Sequence, residues 1–168
     1  MAATEAVTLR RAEARDLAPI TDIYNHAVLH TTATADYDPI TVESRRKWLT
    51  GLEAAGLVAI VAESGDEVVG WGALVPYSDR MGYRFTAYDS VYLRPDFQGR
   101  GVGRTLLSHL IQHAQSAGLH SIIASVDSDN TASIRLHQSF GFQAVAHFPE
   151  LVFKFDRWLD VIHLQLRL

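Results

Sequence analysis

The stretch Val91-Tyr92-Leu93-Arg94-Pro95-Asp96-Phe97-Gln98-Gly99-Arg100-Gly101-Val102-Gly103-Arg104 constrains this chain more than any other. Its first residues read as a strand, its three glycines as a tight turn. The residues that follow place Val102, Leu106, Leu107, Leu110, Ile111 and Ala114 on one side of a helix from about Gly103 to Ala117, ended by Gly118. A strand that passes through glycines into a helix aims backbone N–H groups and the positive helix end at one spot, and a pyrophosphate is the natural occupant. A surface turn needing only positive φ would use the same glycines. Two nucleotide-binding loops are excluded by spacing: Arg104-Thr105 stands where a Walker loop needs Lys-Ser or Lys-Thr, and G-x-G-x-G stands where a dinucleotide fingerprint needs G-x-G-x-x-G.

Around this motif the pattern alternates strands and helices. Val7 to Arg11 is expected to be a strand, Asp16 to Val28 a helix, His30 to Ile40 a loop, and Thr41 the cap of a helix reaching about Glu53. LVAIVAE from Leu57 and EVVGWGALVP flank Ser64-Gly65-Asp66 as an antiparallel hairpin, and Thr86 to Arg94 is a third β-rich run. Ser121 to Val126 has the continuous apolar character of a strand buried on both faces, and Asn130 to Phe140 is a helix closed by Gly141. Leu151 to Phe155 and Asp160 to Leu168 are expected as terminal strands with Trp158 at the turn between them. The sum is an α/β (α+β) fold with a mixed sheet covered by helices. With 168 residues, 48% of them hydrophobic, one core is affordable, so residues 1–168 are read as one domain.

Charge and composition narrow the chemistry. Fifteen Lys and Arg against nineteen Asp and Glu leave a formal charge of −4, which draws the molecule to neither nucleic acid nor an anionic membrane. Zero cysteines remove disulfides, thiolate zinc sites and a protein-bound thioester. The start MAATEAV lacks the pattern of a signal segment, and the longest aliphatic run, Leu57 to Ala62, is far short of the roughly 20 residues that span a bilayer; a cytoplasmic location is expected. His109 and His113 lie four apart on the long helix but have neither an intervening glutamate nor an evident third ligand, so no metal is expected. Trp48, Trp71 and Trp158 are read as core or dimer contacts.

The loop Gln98-Gly99-Arg100-Gly101-Val102-Gly103 resembles the Q/R-x-x-G-x-G/A loop of the GNAT N-acetyltransferases. Downstream, Asn130, Ser133, Leu136-His137 and Phe140-Gly141-Phe142 resemble that family's next helix, in the same order. Tyr24-Asn25-His26-Ala27 with Thr31-Thr32, Pro76 with Arg80 and Tyr83, Asp89-Ser90-Val91-Tyr92, and Asp156-Arg157-Trp158-Leu159-Asp160 resemble the phosphinothricin and methionine sulfoximine acetyltransferases within it, over nearly the whole chain. The resemblance implies the GNAT fold, with a twisted, mostly antiparallel sheet. It also implies acetyl-CoA as co-substrate, a small amino-acid-like amine as acceptor, and a homodimer.

The resemblance also implies roles. Backbone amides of Gly99 to Arg104 would hold the pyrophosphate, with charge from Arg100 and Arg104. Val91, Tyr92 and Leu93 would pair with the pantetheine arm, and a bulge near Tyr92 would free an amide for the thioester carbonyl. Asn130 would face the cofactor or simply cap its helix, with Ser133 beside it. Arg80 and Tyr83 would approach the acidic end of the acceptor. Ser78 replaces a basic residue and Ala35 an aromatic one, implying a roomier, less cationic pocket.

The amine arrives protonated, so a base is required before direct attack in a ternary complex. Many of these enzymes carry a glutamate where this chain has Tyr88. Asp89 is adjacent but points to the opposite face of a regular strand unless a bulge re-aims it. His137 is the favoured base; Tyr88 or Tyr92 are candidate donors to the departing thiolate. Two other readings stand beside this one: an acetyltransferase of protein N-termini or lysines, and a silent acyl-CoA-binding module.

Overall fold

The computed structural model describes residues 6–168; residues 1–5, which open the MAATEAV segment discussed above, lie outside the described residues. In chain order the elements are β1 (Val7–Arg11), α1 (Leu17–His30), α2 (Val42–Ala54), β2 (Ala59–Ser64), β3 (Glu67–Pro76), β4 (Thr86–Leu93), α3 (Val102–Ser116), β5 (Ser121–Asp127), α4 (Thr131–Gln138), β6 (Gln143–Lys154) and β7 (Arg157–Arg167). One seven-stranded sheet runs β1-β2-β3-β4-β5-β7-β6. Its neighbours are antiparallel except β4 and β5, which are parallel because α3 carries the chain back across the sheet between them.

Local chemistry accounts for most boundaries. The Thr41 hydroxyl accepts from the Ser44 N–H at the start of α2, and the Asn130 carboxamide accepts from the Ser133 N–H at the start of α4. Leu106, Leu107, Leu110 and Ala114 on α3 are fully buried against the sheet, with Ile122, Ala124, Leu74 and Leu164 in the same core. On the other face α1 buries Leu17, Ile20 and Ile23, and Trp71 is buried beneath Tyr24, Trp48 and Tyr92.

Two expectations about the C-terminal region are corrected. The turn between the last strands is at Phe155-Asp156, both at positive φ (52° and 55°), and Trp158 is inside β7 opposite Phe153. β6 also begins at Gln143, well before Leu151, because the hairpin absorbs an irregularity between Phe148 and Val152 where Glu150 has φ 49° and its N–H donates to Asp160. The strand–helix–strand run after β5 does not place β6 next to β5; β7 inserts between them.

Candidate active site

The parallel pair β4–β5 is registered only over Thr86↔Ser121, Ala87↔Ile122 and Tyr88↔Ile123. Past Tyr88, β4 stays on β3 as far as Leu93 while β5 stays on β7 as far as Asp127, so the two strands part. The wedge exposes one backbone edge of β4 from Asp89 to Leu93, and an extended ligand with its own amide groups can pair with such an edge.

The glycine turn sits at the wide end of this wedge. A short turn at Pro95–Phe97 leads to Gln98; Gly99 and Gly101 then adopt φ of 70° and 83°, values that cost an L-residue about 1–2 kcal/mol, and α3 starts at Val102. Gly101 is the N-cap and offers no side chain, and the N–H groups of Gly99, Arg100 and Gly101 make no backbone hydrogen bond among the described residues. The turn and the first N–H groups of α3 therefore form a cradle of open donors. Gly103 differs: a Cβ there would meet Leu136 and Leu93 at 3.6 Å, ordinary contact. The Arg100 and Arg104 guanidinium groups flank the cradle, each 4.9 Å over a ring, Phe97 and Phe140 respectively, and Arg104 also donates to the Ser139 hydroxyl.

At the narrow end, successive residues of β4 point to opposite faces. Asp89 points toward α4, where its Oδ2 lies 2.8 Å from His137 Nε2 with both side chains buried. The other ring nitrogen, Nδ1, is 2.7 Å from the Ser133 carbonyl oxygen, which only accepts. Both nitrogens thus face acceptors, an arrangement met by the doubly protonated ring. Burial pushes the His137 pKa down, but the Asp89 hydrogen bond and charge, with the Ser133 carbonyl, outweigh it and hold the pKa above its ordinary value. The expectation that His137 accepts the acceptor's proton therefore meets a ring with no free nitrogen. Asp89 Oδ1 is buried without a hydrogen-bond partner, a spare acceptor at the apex of the wedge.

The register between β3 and β4 is unbroken from Pro76↔Ala87 to Gly70↔Leu93, so the bulge expected near Tyr92 is absent and nothing re-aims Asp89; the irregularity of this region lies between β2 and β3, at Ala62/Glu63. Val91 and Leu93 point to the α3 face beside Gly103, whereas Tyr88 and Tyr92 point to the opposite one.

That opposite face is a cup. Tyr88 stacks on Tyr77, which also touches Tyr83, and burial raises the Tyr88 pKa with Tyr77 adding to it. The connection between α1 and α2 is tied down over the sheet: Lys154, 2% exposed, donates to the carbonyls of Thr31 and Thr34, Tyr37 donates to the Phe153 carbonyl, Tyr92 donates to the Ala33 carbonyl, and Tyr24 donates to Asp36. Asn25 clasps Ile40 through both its carboxamide atoms. Arg45 is buried with its guanidinium over Tyr24, Trp48 and Trp71. Arg80 and Tyr83 are exposed at the rim.

A wedge in the sheet, a cradle of open donors at its wide end and a separate tyrosine-lined face on the far side suit two ligands, and similarity to known proteins identifies the family. Residues 20–142 match the model of the acetyltransferase (GNAT) family. The chain belongs to the GNAT acetyltransferases. This GNAT chain is 41% identical over 162 residues to the L-methionine sulfoximine/L-methionine sulfone acetyltransferase of Salmonella typhimurium, covering 96% of this chain and 95% of that one. It is 41% identical over 164 residues to the phosphinothricin N-acetyltransferase of Alcaligenes faecalis, covering 95% and 82%. An acetyltransferase structure from Salmonella typhimurium with its cofactor acetyl-CoA superposes with a TM-score of 0.94 at 41% identity, over 96% of this chain and 94% of that one. GNAT enzymes use acetyl-CoA as co-substrate, and the wedge and cradle of this chain suit such a ligand.

Sequence reasoning singled out the cradle, Asp89, His137, Tyr88 and the rim residues. It missed His163 on β7, which lies on the cup face 6.2 Å from the Tyr88 ring, and Lys154, which anchors the loop. The signal for His163 was present: Val161, His163 and Gln165 alternate with the core-facing Ile162, Leu164 and Leu166, but nothing local says which strand β7 joins.

Proposed function

We propose that this single-domain GNAT chain transfers the acetyl group of acetyl-CoA to the amine of a small amino-acid-like acceptor of the methionine sulfoximine, methionine sulfone or phosphinothricin type. The observation that carries the reading is the divided site: the anion cradle and wedge lie on the α3/α4 side of the sheet, and the loop-covered cup lies on the other, joined where β4 leaves β5. A bound acetyl-CoA supplies an activated thioester. The cradle of Gln98, Gly99, Arg100, Gly101, Val102, Gly103 and Arg104 holds its pyrophosphate, the Val91–Leu93 edge orients its arm, and Asn130 and Ser133 shape the α4 wall. The His137–Asp89 pair sits at the apex and ties α4 to β4 there. In the cup, Arg80 and Tyr83 meet the acidic end of the acceptor, and the pinned 31–41 segment excludes water.

The single compact domain, with the 31–41 segment pinned over the sheet, favours a small acceptor over a protein terminus or lysine side chain. The exposed apolar stretch of the last hairpin, including Leu151, Phe153, Phe155 and Trp158, fits a homodimer contact. Among the described residues no helix is long and apolar enough to cross a membrane, and a cytoplasmic location fits a protein that uses acetyl-CoA.

The test follows free thiol released from acetyl-CoA against methionine sulfone, methionine sulfoximine, phosphinothricin, a polyamine and a peptide N-terminus, with acetyl-CoA binding measured separately. Turnover confined to the amino-acid analogues is expected. Turnover only with the peptide would overturn the acceptor class, and binding without any turnover would make the protein a silent acyl-CoA-binding module.

A further inference from the structure

The proposed reaction needs a group that removes a proton from the acceptor's ammonium, and the two sites the family pattern would assign to it are unsuitable here. Tyr88 has no carboxylate, and both nitrogens of His137 face acceptor oxygens on the other side of the sheet. We infer that His163, on the cup face of β7, is the general base of this enzyme, replacing from the far side of the wedge the carboxylate that β4 lacks. The inference rests on the proposed N-acetyltransferase reading and deepens it.

Geometry supports this in three ways. His163 is registered opposite Ser125 of β5, and Tyr88 of β4 is registered with Ile123, so the three side chains of Tyr88, Ser125 and His163 share one face at the place where β4 and β5 diverge. Ser125 is exposed within an otherwise buried strand, so this face is open to a ligand at that point. The His163 ring stands edge-on to Tyr88 at 6.2 Å and to Phe148 of β6 at 5.1 Å, which fixes its plane, while neither ring nitrogen makes a hydrogen bond to any described residue. Its surroundings contain tyrosine hydroxyls, Tyr88 and behind it Tyr77, and no charged group shifts it; burial alone draws its pKa below the ordinary histidine value. The ring is therefore neutral at pH 7 with a nitrogen free to accept.

The proton balance is as follows. One N–H bond of the acceptor's ammonium breaks and its proton moves to a His163 ring nitrogen, leaving the nitrogen lone pair to form the new N–C bond. The C–S bond breaks with its electron pair going to sulfur. The proton shed by the acylated nitrogen balances the one gained by the thiolate, and His163 returns its proton to water.

The experiment compares the unsubstituted enzyme with His163→Phe, which keeps the aromatic contacts, and His163→Ala. With methionine sulfone at pH 7 both variants should lose on the order of 10²-fold in kcat/KM, while acetyl-CoA affinity stays within about threefold. The acidic limb of the kcat/KM profile set by the histidine should vanish in His163→Phe, and free imidazole should restore turnover to His163→Ala. Turnover within about threefold of the parent with an unchanged limb would overturn the assignment. So would loss of acetyl-CoA binding in step with turnover in both variants, which marks a structural residue. An unsubstituted enzyme that acetylates no acceptor overturns the parent reading and this one with it; an active enzyme indifferent to His163 overturns this one alone.

Discussion

His137 and Asp89 show how a pair picked out as chemistry is also an energetic commitment. Both are buried, and removing one leaves the other uncompensated, which costs about 3–5 kcal/mol in buried pairs of this kind. Asp89→Asn should therefore lower the denaturant midpoint, read by urea unfolding, as well as turnover. The pH dependence has a definite sign. The folded-state pKa of His137 lies above the unfolded value near 6.5, so its stabilising contribution is complete below about pH 6.5 and fades as pH rises through the folded value. The stability gap between the parent and His137→Asn should be widest near pH 5.5 and narrow toward pH 9; a gap that widens with pH would contradict the charged pair. The residue types were legible from sequence, but which face of β4 Asp89 takes was not settled until the register showed no bulge.

Elements define the site through three devices: the glycine turn, the parting of β4 from β5, and the pinned α1–α2 connection. The first was legible because positive φ leaves a residue signature; Gly101→Ala should cost about 1–2 kcal/mol and weaken acetyl-CoA binding, checked by thermal unfolding and calorimetry. The parting was only implied by family resemblance, since how far two strands stay paired depends on their other neighbours, β3 and β7. The third is legible only as a loop, because its anchor is 120 residues away. Lys154→Met strands the Thr31 and Thr34 carbonyls. It should destabilise the fold by about 1–3 kcal/mol and raise the acceptor KM with little change in acetyl-CoA affinity.

On the scale of the molecule, strand order carries the function. Inserting β7 between β5 and β6 brings a histidine near the C-terminus to the face that β4 presents some seventy residues earlier, and no local pattern announces such a placement. The same insertion leaves the last hairpin at the sheet edge with Phe153 and Trp158 packed on each other and exposed. The homodimer proposed through that hairpin predicts that Trp158→Lys shifts sedimentation from a dimer to a monomer; a parent protein that sediments as a monomer, or an unchanged coefficient, would contradict it.

The central claim is that acetyl-CoA lies along the wedge with its pyrophosphate on the glycine turn. Amide hydrogen exchange with and without acetyl-CoA tests it directly. Protection is predicted at Val91–Leu93 and Gly99–Arg104 and not in the β1–β2 pair; exchange unchanged at those amides while the ligand is bound would contradict it.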